Sequence, residues 1–86
     1  MRETTKSLKA LANERRLKII NVLAKREPLI INEIADHLGL SLKSTSEHVQ
    51  KLAECDLLDR EQRSLQVYCR LNRSHPLLRS LLPHLK

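Results

Sequence analysis

Apolar and polar positions along this chain follow two different periods, and the change falls near residue 56. Before it, apolar residues recur every three or four positions, as on a helix with one buried face. After it, a stretch alternates at every second residue, as in a half-buried strand. Leu8, Leu11 and Ala12, with charge between them, predict a short helix over residues 4–12. Asn13 is placed to cap a second helix, and Glu14 falls in its first turn, where the helix dipole favours an acid. Leu17, Ile20 and Leu23, with Ile19, Val22 and Ala24, give that helix a wide apolar face through residue 24. Pro28 ends it or follows closely. Asn32 can cap a third helix over 33–38, with Ile34, Ala35 and Leu38 inward.

The chain has one glycine, Gly39, and it stops the third helix. Glycine reaches the left-handed backbone region without a Cβ clash, which suits the position just past a helix end. Two residues on, Ser41 offers an oxygen to cap a fourth helix over about 42–55, with Thr45, Val49, Leu52 and Ala53 inward. Ser44 and Glu47 have capping-box spacing and form an alternative start, but Ser41 fits the turn better. Helix, glycine turn and capped helix outline a helix-turn-helix.

Residues 57–60 and 65–71 then read as strands. In the second, Leu65, Val67, Cys69 and Leu71 share one face, and Gln66, Tyr68 and Arg70 the other. The polar run 61–64 joins them as a hairpin, and its lack of glycine and asparagine predicts a longer loop than a tight two-residue turn. Ser74 is placed to cap a last helix with Pro76 in its first turn and Leu77, Leu78, Leu81, Leu82 and Leu85 on its apolar face; Pro83 disrupts or ends it. The reading is a single mainly α domain, residues 1–86, with a small β-hairpin: a winged helix-turn-helix of order α-α-α-α-β-β-α.

Composition narrows the partners. Lys and Arg total 16 against 10 acids, a formal charge of +6, which suits a polyanion. All ten acids fall at or before Glu61, so the last 25 residues carry only basic charge, on Arg63, Arg70, Arg73, Arg79 and Lys86. Eighteen leucines and one aromatic residue, Tyr68, give a small aliphatic core, and a domain this short gains from dimerisation. Two cysteines make no disulfide framework. The N-terminus lacks a secretory signal, and no apolar run approaches the roughly eighteen residues of a membrane span. A cytoplasmic protein with reduced thiols is expected. No phosphate-cradling glycine loop, catalytic triad spacing or complete metal-ligand set is present, so neither an enzyme nor a cofactor is expected.

Four segments carry a family resemblance. They are Leu8–Ile19 (LKALANERRLKI), Glu33–Ser41 (EIADHLGLS), Ser46–Leu52 (SEHVQKL) and Val67–Asn72 (VYCRLN). Their order and spacing resemble the ArsR/SmtB winged-helix transcriptional regulators over about residues 6–73. The resemblance implies a homodimer that binds palindromic double-stranded DNA, usually as a repressor. It implies a dimer interface on the first and last helices, residues 4–12 and 75–85, through Leu8, Leu11, Leu77, Leu78, Leu81, Leu82 and Leu85.

Departures from the family pattern bear on sensing. Where many members carry a Cys-x-Cys metal pair, this chain has Ile30 and Asn32. On the last helix, His75 and His84 lack accompanying carboxylates, and two histidines do not complete a tetrahedral zinc site. Neither family metal site is expected. At the wing tip the usual glycine and arginine fall near Ser64 and Leu65, and the usual glycine after the recognition helix is Asp56, which tolerates the left-handed region.

The recognition helix meets base edges with its N-terminal part. The DNA-contact expectation therefore covers Ser41, Lys43, Ser44, Ser46, Glu47, Gln50 and Lys51, with Arg60 and Arg63 from the wing. Glu47 has two readings: acceptor from cytosine N4, or a capping carboxylate with no DNA role. His48 is expected to pack against neighbouring helices, and Arg15 and Arg16 either approach the DNA backbone or face water. Cys69 reads as a buried small hydrophobe, and Cys55 sits at a helix C-terminus, where the dipole disfavours a thiolate. Two other functions fit the same residues. One is a protein-association module, suggested by Glu47, Glu54, Asp59 and Glu61 around the DNA face; the other is a repressor switched by Cys55–Cys69 oxidation.

Overall fold

The computed structural model describes residues 2–85. Its elements run α1 (Arg2–Leu11), α2 (Glu14–Arg26), β1 (Leu29–Ile30), α3 (Ile31–Leu38), α4 (Leu42–Glu54), β2 (Leu58–Arg63), β3 (Gln66–Leu71) and α5 (Pro76–Leu81), followed by a 3₁₀ turn (Leu82–His84). Three helices, α2, α3 and α4, pack around Ile19, Ile20, Leu23, Ile34, Val49 and Leu52, all fully enclosed. The sheet closes the other side with Leu58, Cys69 and Leu71, and Leu78 of α5 completes the core.

Capping explains most helix boundaries. Asn13 Oδ1 accepts the Arg16 N–H at 3.1 Å, as its position predicts. Two helices end by the same device. Gly39 (φ 65°) closes α3, with the Leu40 N–H donating to Ala35 O at 3.0 Å. Asp56 (φ 59°) closes α4, with the Leu57 N–H donating to Leu52 O at 3.0 Å. Each is a left-handed residue followed by a six-to-one hydrogen bond, which satisfies carbonyls the helix leaves open.

Several boundaries differ from the sequence expectation. The sheet has three strands in the order β1-β3-β2, because the two-residue β1 pairs antiparallel with β3, Leu29 opposite Cys69. A two-residue strand is too short to show a period, so it was invisible to pattern. Asn32 does not cap α3: the helix begins two residues earlier than expected, at Ile31, and Glu33 Oε1 reaches back to accept the Ile30 N–H at 2.9 Å. Ser74 does not cap α5 either. His75 takes that place, its Nδ1 accepting the Leu77 N–H at 3.2 Å, while the Ser74 N–H donates to Asn72 Oδ1. Pro83 ends the regular α-helix at Leu81, and the chain tightens into the 3₁₀ turn.

The hairpin is the largest correction. No long loop joins its strands; Arg63 pairs with Gln66, leaving a two-residue turn of Ser64 and Leu65. Ser64 takes φ 57° at the first turn position, as a type II′ turn requires, so serine bears a strain that glycine would avoid. Residues 61–63 extend β2 although they are polar, because both faces of the ribbon are open to water at that end. Leu65 consequently leaves the inner face of β3 and stands at the tip, 91% exposed.

Side chains fasten the hairpin base. Asn72 Nδ2 donates to Asp56 O at 2.9 Å, and the Asn72 N–H to Leu57 O at 3.1 Å. Glu27 at the end of α2 accepts from the Leu71 N–H at 2.9 Å and from Arg73 Nε at 3.0 Å.

Candidate nucleic-acid interface

Ser41 is the hinge of the site. Its Oγ accepts the Ser44 N–H at 3.0 Å, and its carbonyl accepts Thr45 Oγ1 at 2.8 Å. The start of α4 is therefore set by Ser41 and not by a Ser44–Glu47 box; Ser44 lies inside the helix. Thr45, Val49 and Leu52 are enclosed and fix the rotation of α4 about its axis. The opposite stripe of Lys43, Ser46, Glu47 and Gln50 is exposed. Ser44 is half-buried at its edge, beside exposed Lys51. Glu47 is one turn from both Lys43 and Lys51, so its charge is flanked by two cations.

The opposite edge of α4 is held by Arg16, which was expected at the DNA backbone or in water and instead bonds within the protein. Arg16 Nε donates to His48 Nδ1 at 3.2 Å, and Arg16 Nη1 to Ala10 O at 3.4 Å. One guanidinium thus ties the end of α1 to α4. Burial, then the charges of Arg16 and Arg15, hold the His48 pKa below its usual value, with Glu47 opposing. A neutral ring keeps Nδ1 free to accept. The available signal was the helical wheel, on which Arg16 falls with Ile19, Ile20 and Leu23 instead of on the polar side. His48 packs against α2, as expected.

The wing stands beside α4, against which β2 packs. Register separates its two arginines. Arg60 is opposite Cys69, on the face that carries Leu58 and Leu71 inward; Arg63 belongs with Glu61 and Tyr68 on the outer face. Arg63 is engaged there. Its Nη2 lies 2.7 Å from Glu61 Oε1, and its guanidinium stands 5.3 Å from the centre of the Tyr68 ring.

The terminal helices meet through Ser7 and His75, 3.4 Å apart between Oγ and Nε2. Leu8 is 53% exposed, and Leu77 and Leu81 are half-buried. Leu11, Leu82 and Leu85 pack partly against the core. Leu78 corrects the expectation for this face: it is fully enclosed within the protomer and has no surface to offer a partner.

Among the described residues, no three His, Cys, Asp or Glu side chains gather where they could hold a metal ion. Ile30 lies in β1 and Asn32 in the first turn of α3, while both ring nitrogens of His75 are already engaged. Cys55 and Cys69 are free thiols, and burial pushes the Cys69 thiol up to about 11, with Arg60 opposing. That thiol stays protonated near neutrality and is a poor nucleophile. No helix among the described residues is long and apolar enough to cross a membrane.

The sequence pattern of the HVO_A0114 family matches residues 11–75. The chain belongs to the HVO_A0114 family. No curated protein sequence matches it. Solved structures place this family member among winged-helix regulators. Mb0332 of Mycobacterium bovis superposes with a TM-score of 0.83 at 28% identity, over 95% of this chain and 76% of that one. It is described as the homodimeric winged helix-turn-helix DNA-binding domain of a possible ArsR-family transcriptional regulator. The transcriptional repressor PagR of Bacillus anthracis gives a TM-score of 0.82 at 28% identity, over 99% and 94% of the two chains. HlyU of Vibrio cholerae gives 0.78 at 27% identity, over 95% and 87%. The fold is that of ArsR-type winged-helix regulators, as the four motif segments imply.

Proposed function

We propose that this protein is a homodimeric, sequence-specific double-stranded DNA-binding regulator of transcription, acting as a repressor in the cytoplasm by binding and not by catalysis. The observation that carries the reading is the exposed polar stripe of α4, rotationally fixed by Thr45, Val49 and Leu52, with the hairpin wing beside it on a chain of net charge +6. A helix held this way fits a major groove, and a basic chain gains from counterion release. Mb0332, a homodimeric DNA-binding domain, and PagR, a repressor, support the same role.

In this reading Lys43 and Lys51 approach phosphate or guanine, Ser41, Ser44, Ser46 and Gln50 bond base edges or backbone, and Glu47 accepts from cytosine between its two lysines. Arg60 and Arg63 approach the backbone from the wing. Leu8, Leu77 and Leu81 form the centre of the dimer face, with Leu11, Leu82 and Leu85 around them.

Duplex binding measured across a salt series tests this. Affinity should fall steeply with salt, and Lys43→Ala should flatten the log–log slope by about 0.9 for each phosphate that Lys43 neutralises. Sedimentation should show Lys43→Ala still dimeric. No mobility shift at low or moderate salt would support the protein-association reading instead.

A further inference from the structure

Arg16 is fixed at three points. Its N–H is accepted by Asn13 Oδ1 at 3.1 Å, in the cap of α2. Its Nη1 donates to Ala10 O at 3.4 Å, a carbonyl in the last turn of α1, where a helix supplies no partner of its own. Its Nε donates to His48 Nδ1 at 3.2 Å on α4. Only Ala12 and Asn13 separate α1 from α2, so the joint that carries Arg16 is short. The side chain is half-buried, while its neighbour Arg15 is exposed.

The seat of α4 is otherwise largely apolar, through Val49 and Leu52. Packed apolar faces tolerate small sliding of one helix on another, whereas a hydrogen bond weakens steeply as its angle opens. The guanidinium is planar and its donors form a rigid fork, so the His48 ring and the Ala10 carbonyl are held in one fixed relation. The ends of this link lie beside the two surfaces of the proposed function. Ala10 stands between Leu8 and Leu11 of the proposed dimer face, and His48 follows Ser46 and Glu47 of the exposed α4 stripe. Two of the three guanidinium nitrogens are engaged inside the protomer, which points the residue away from phosphate and toward an indirect part in reading DNA.

We propose that Arg16 is a positioning residue: it sets α4 against α1, and in the dimer it thereby fixes the half-site spacing that two copies accept, without touching DNA. The proposal rests on the DNA-binding and dimer readings above. Each protomer carries the link once, so a displaced α4 counts twice across the two-fold axis, and spacing is the property most sensitive to it.

The test uses the full chain, the palindromic duplex enriched from a random-sequence pool, and the same duplex with one base pair added or removed between its half-sites. One base pair moves a half-site by about 3.4 Å and turns it by about a tenth of a revolution. The wild-type protein should prefer the native spacing. Arg16→Gln should lower that preference about tenfold, the ratio that one hydrogen bond to a charged group supplies. Its log–log salt slope should match the wild type, since no phosphate contact is lost, and sedimentation should show it still dimeric. His48→Leu removes the acceptor and leaves Arg16 on Ala10 O; it should relax the preference equally, and the double variant no further. Arg15→Gln should leave the preference intact. A merely structural role would lower the thermal midpoint of Arg16→Gln without relaxing the preference, and that result overturns the proposal. So does a flattened salt slope in Arg16→Gln, which would make the residue a phosphate contact. If Arg16→Gln does not fold, His48→Leu decides: a wild-type preference overturns the proposal. If the wild-type protein enriches no duplex, or only an asymmetric one, the DNA-binding or the dimer reading falls and the proposal falls with it.

Discussion

A few residues set the geometry on which the rest depends. Gly39 and Asp56 both sit in the left-handed region, and each ends one helix of the helix-turn-helix. Beyond its chain neighbours, no atom lies within 4 Å of where a Gly39 Cβ would be, so glycine is favoured there by backbone conformation and not by space. Ser41 then fixes where α4 begins. His48 holds the side of that helix through Arg16, and this contact is sensitive to pH. Because folding holds the His48 pKa below its usual value, the unfolded chain takes up a proton first as pH falls. The stabilisation is complete above about pH 6.5 and is lost as pH drops through the lower folded value. Denaturant midpoints should therefore decline as pH falls below about 6.5, and His48→Gln should flatten that decline; an identical decline in the variant would show that the ring does not titrate as described. Gly39, Asn13 and Ser41 were legible from sequence because each acts within its own turn. Arg16 was not, because its two partners come from other elements, 6 and 32 residues away.

At the scale of elements, the four main helices follow from apolar spacing, and α2, α3 and α4 bury positions that spacing predicts; α1 does not, because Ser7 and Ala10 are its buried residues while Leu8 and Ala12 are exposed. The wing follows in outline only. Its outer half is polar on both faces, so no period marks residues 61–63 as strand, and a turn without glycine concealed the tight hairpin. The same blindness hid β1 and misplaced Leu65. Register also gives Glu61 a role that composition could not: it neutralises Arg63 on the outer face. Glu61→Ala should leave stability nearly unchanged, since an exposed pair contributes little. It should tighten duplex binding about fivefold per wing at physiological salt and steepen the salt slope, as the freed guanidinium finds a phosphate. Equal affinity in a filter-binding titration would mean that Arg63 remains held by Tyr68 or never approaches DNA.

For the whole molecule, α1 and α5 share one side, joined by Ser7 and His75, while α4 and the wing form the proposed reading surface. Arg16 bridges the two regions, from Ala10 O at the end of α1 to His48 on α4. A dimer formed through the terminal helices would thus set the spacing of two recognition helices through a direct contact. Order and spacing of motifs made this architecture readable, because each segment is short and the assembly is local along the chain. The leucines of the last helix look alike in sequence, and only packing distinguishes Leu78, which fills the core, from Leu77 and Leu81, which do not and which the proposed dimer face would use.

In the proposed function, two copies of the chain read one DNA site. Selection of bound fragments from random-sequence duplex DNA at physiological salt tests it most directly. A two-fold-symmetric sequence should be enriched, its half-sites separated by about one helical turn, the spacing that paired recognition helices require. Failure to enrich any duplex, at low as well as physiological salt, would contradict it.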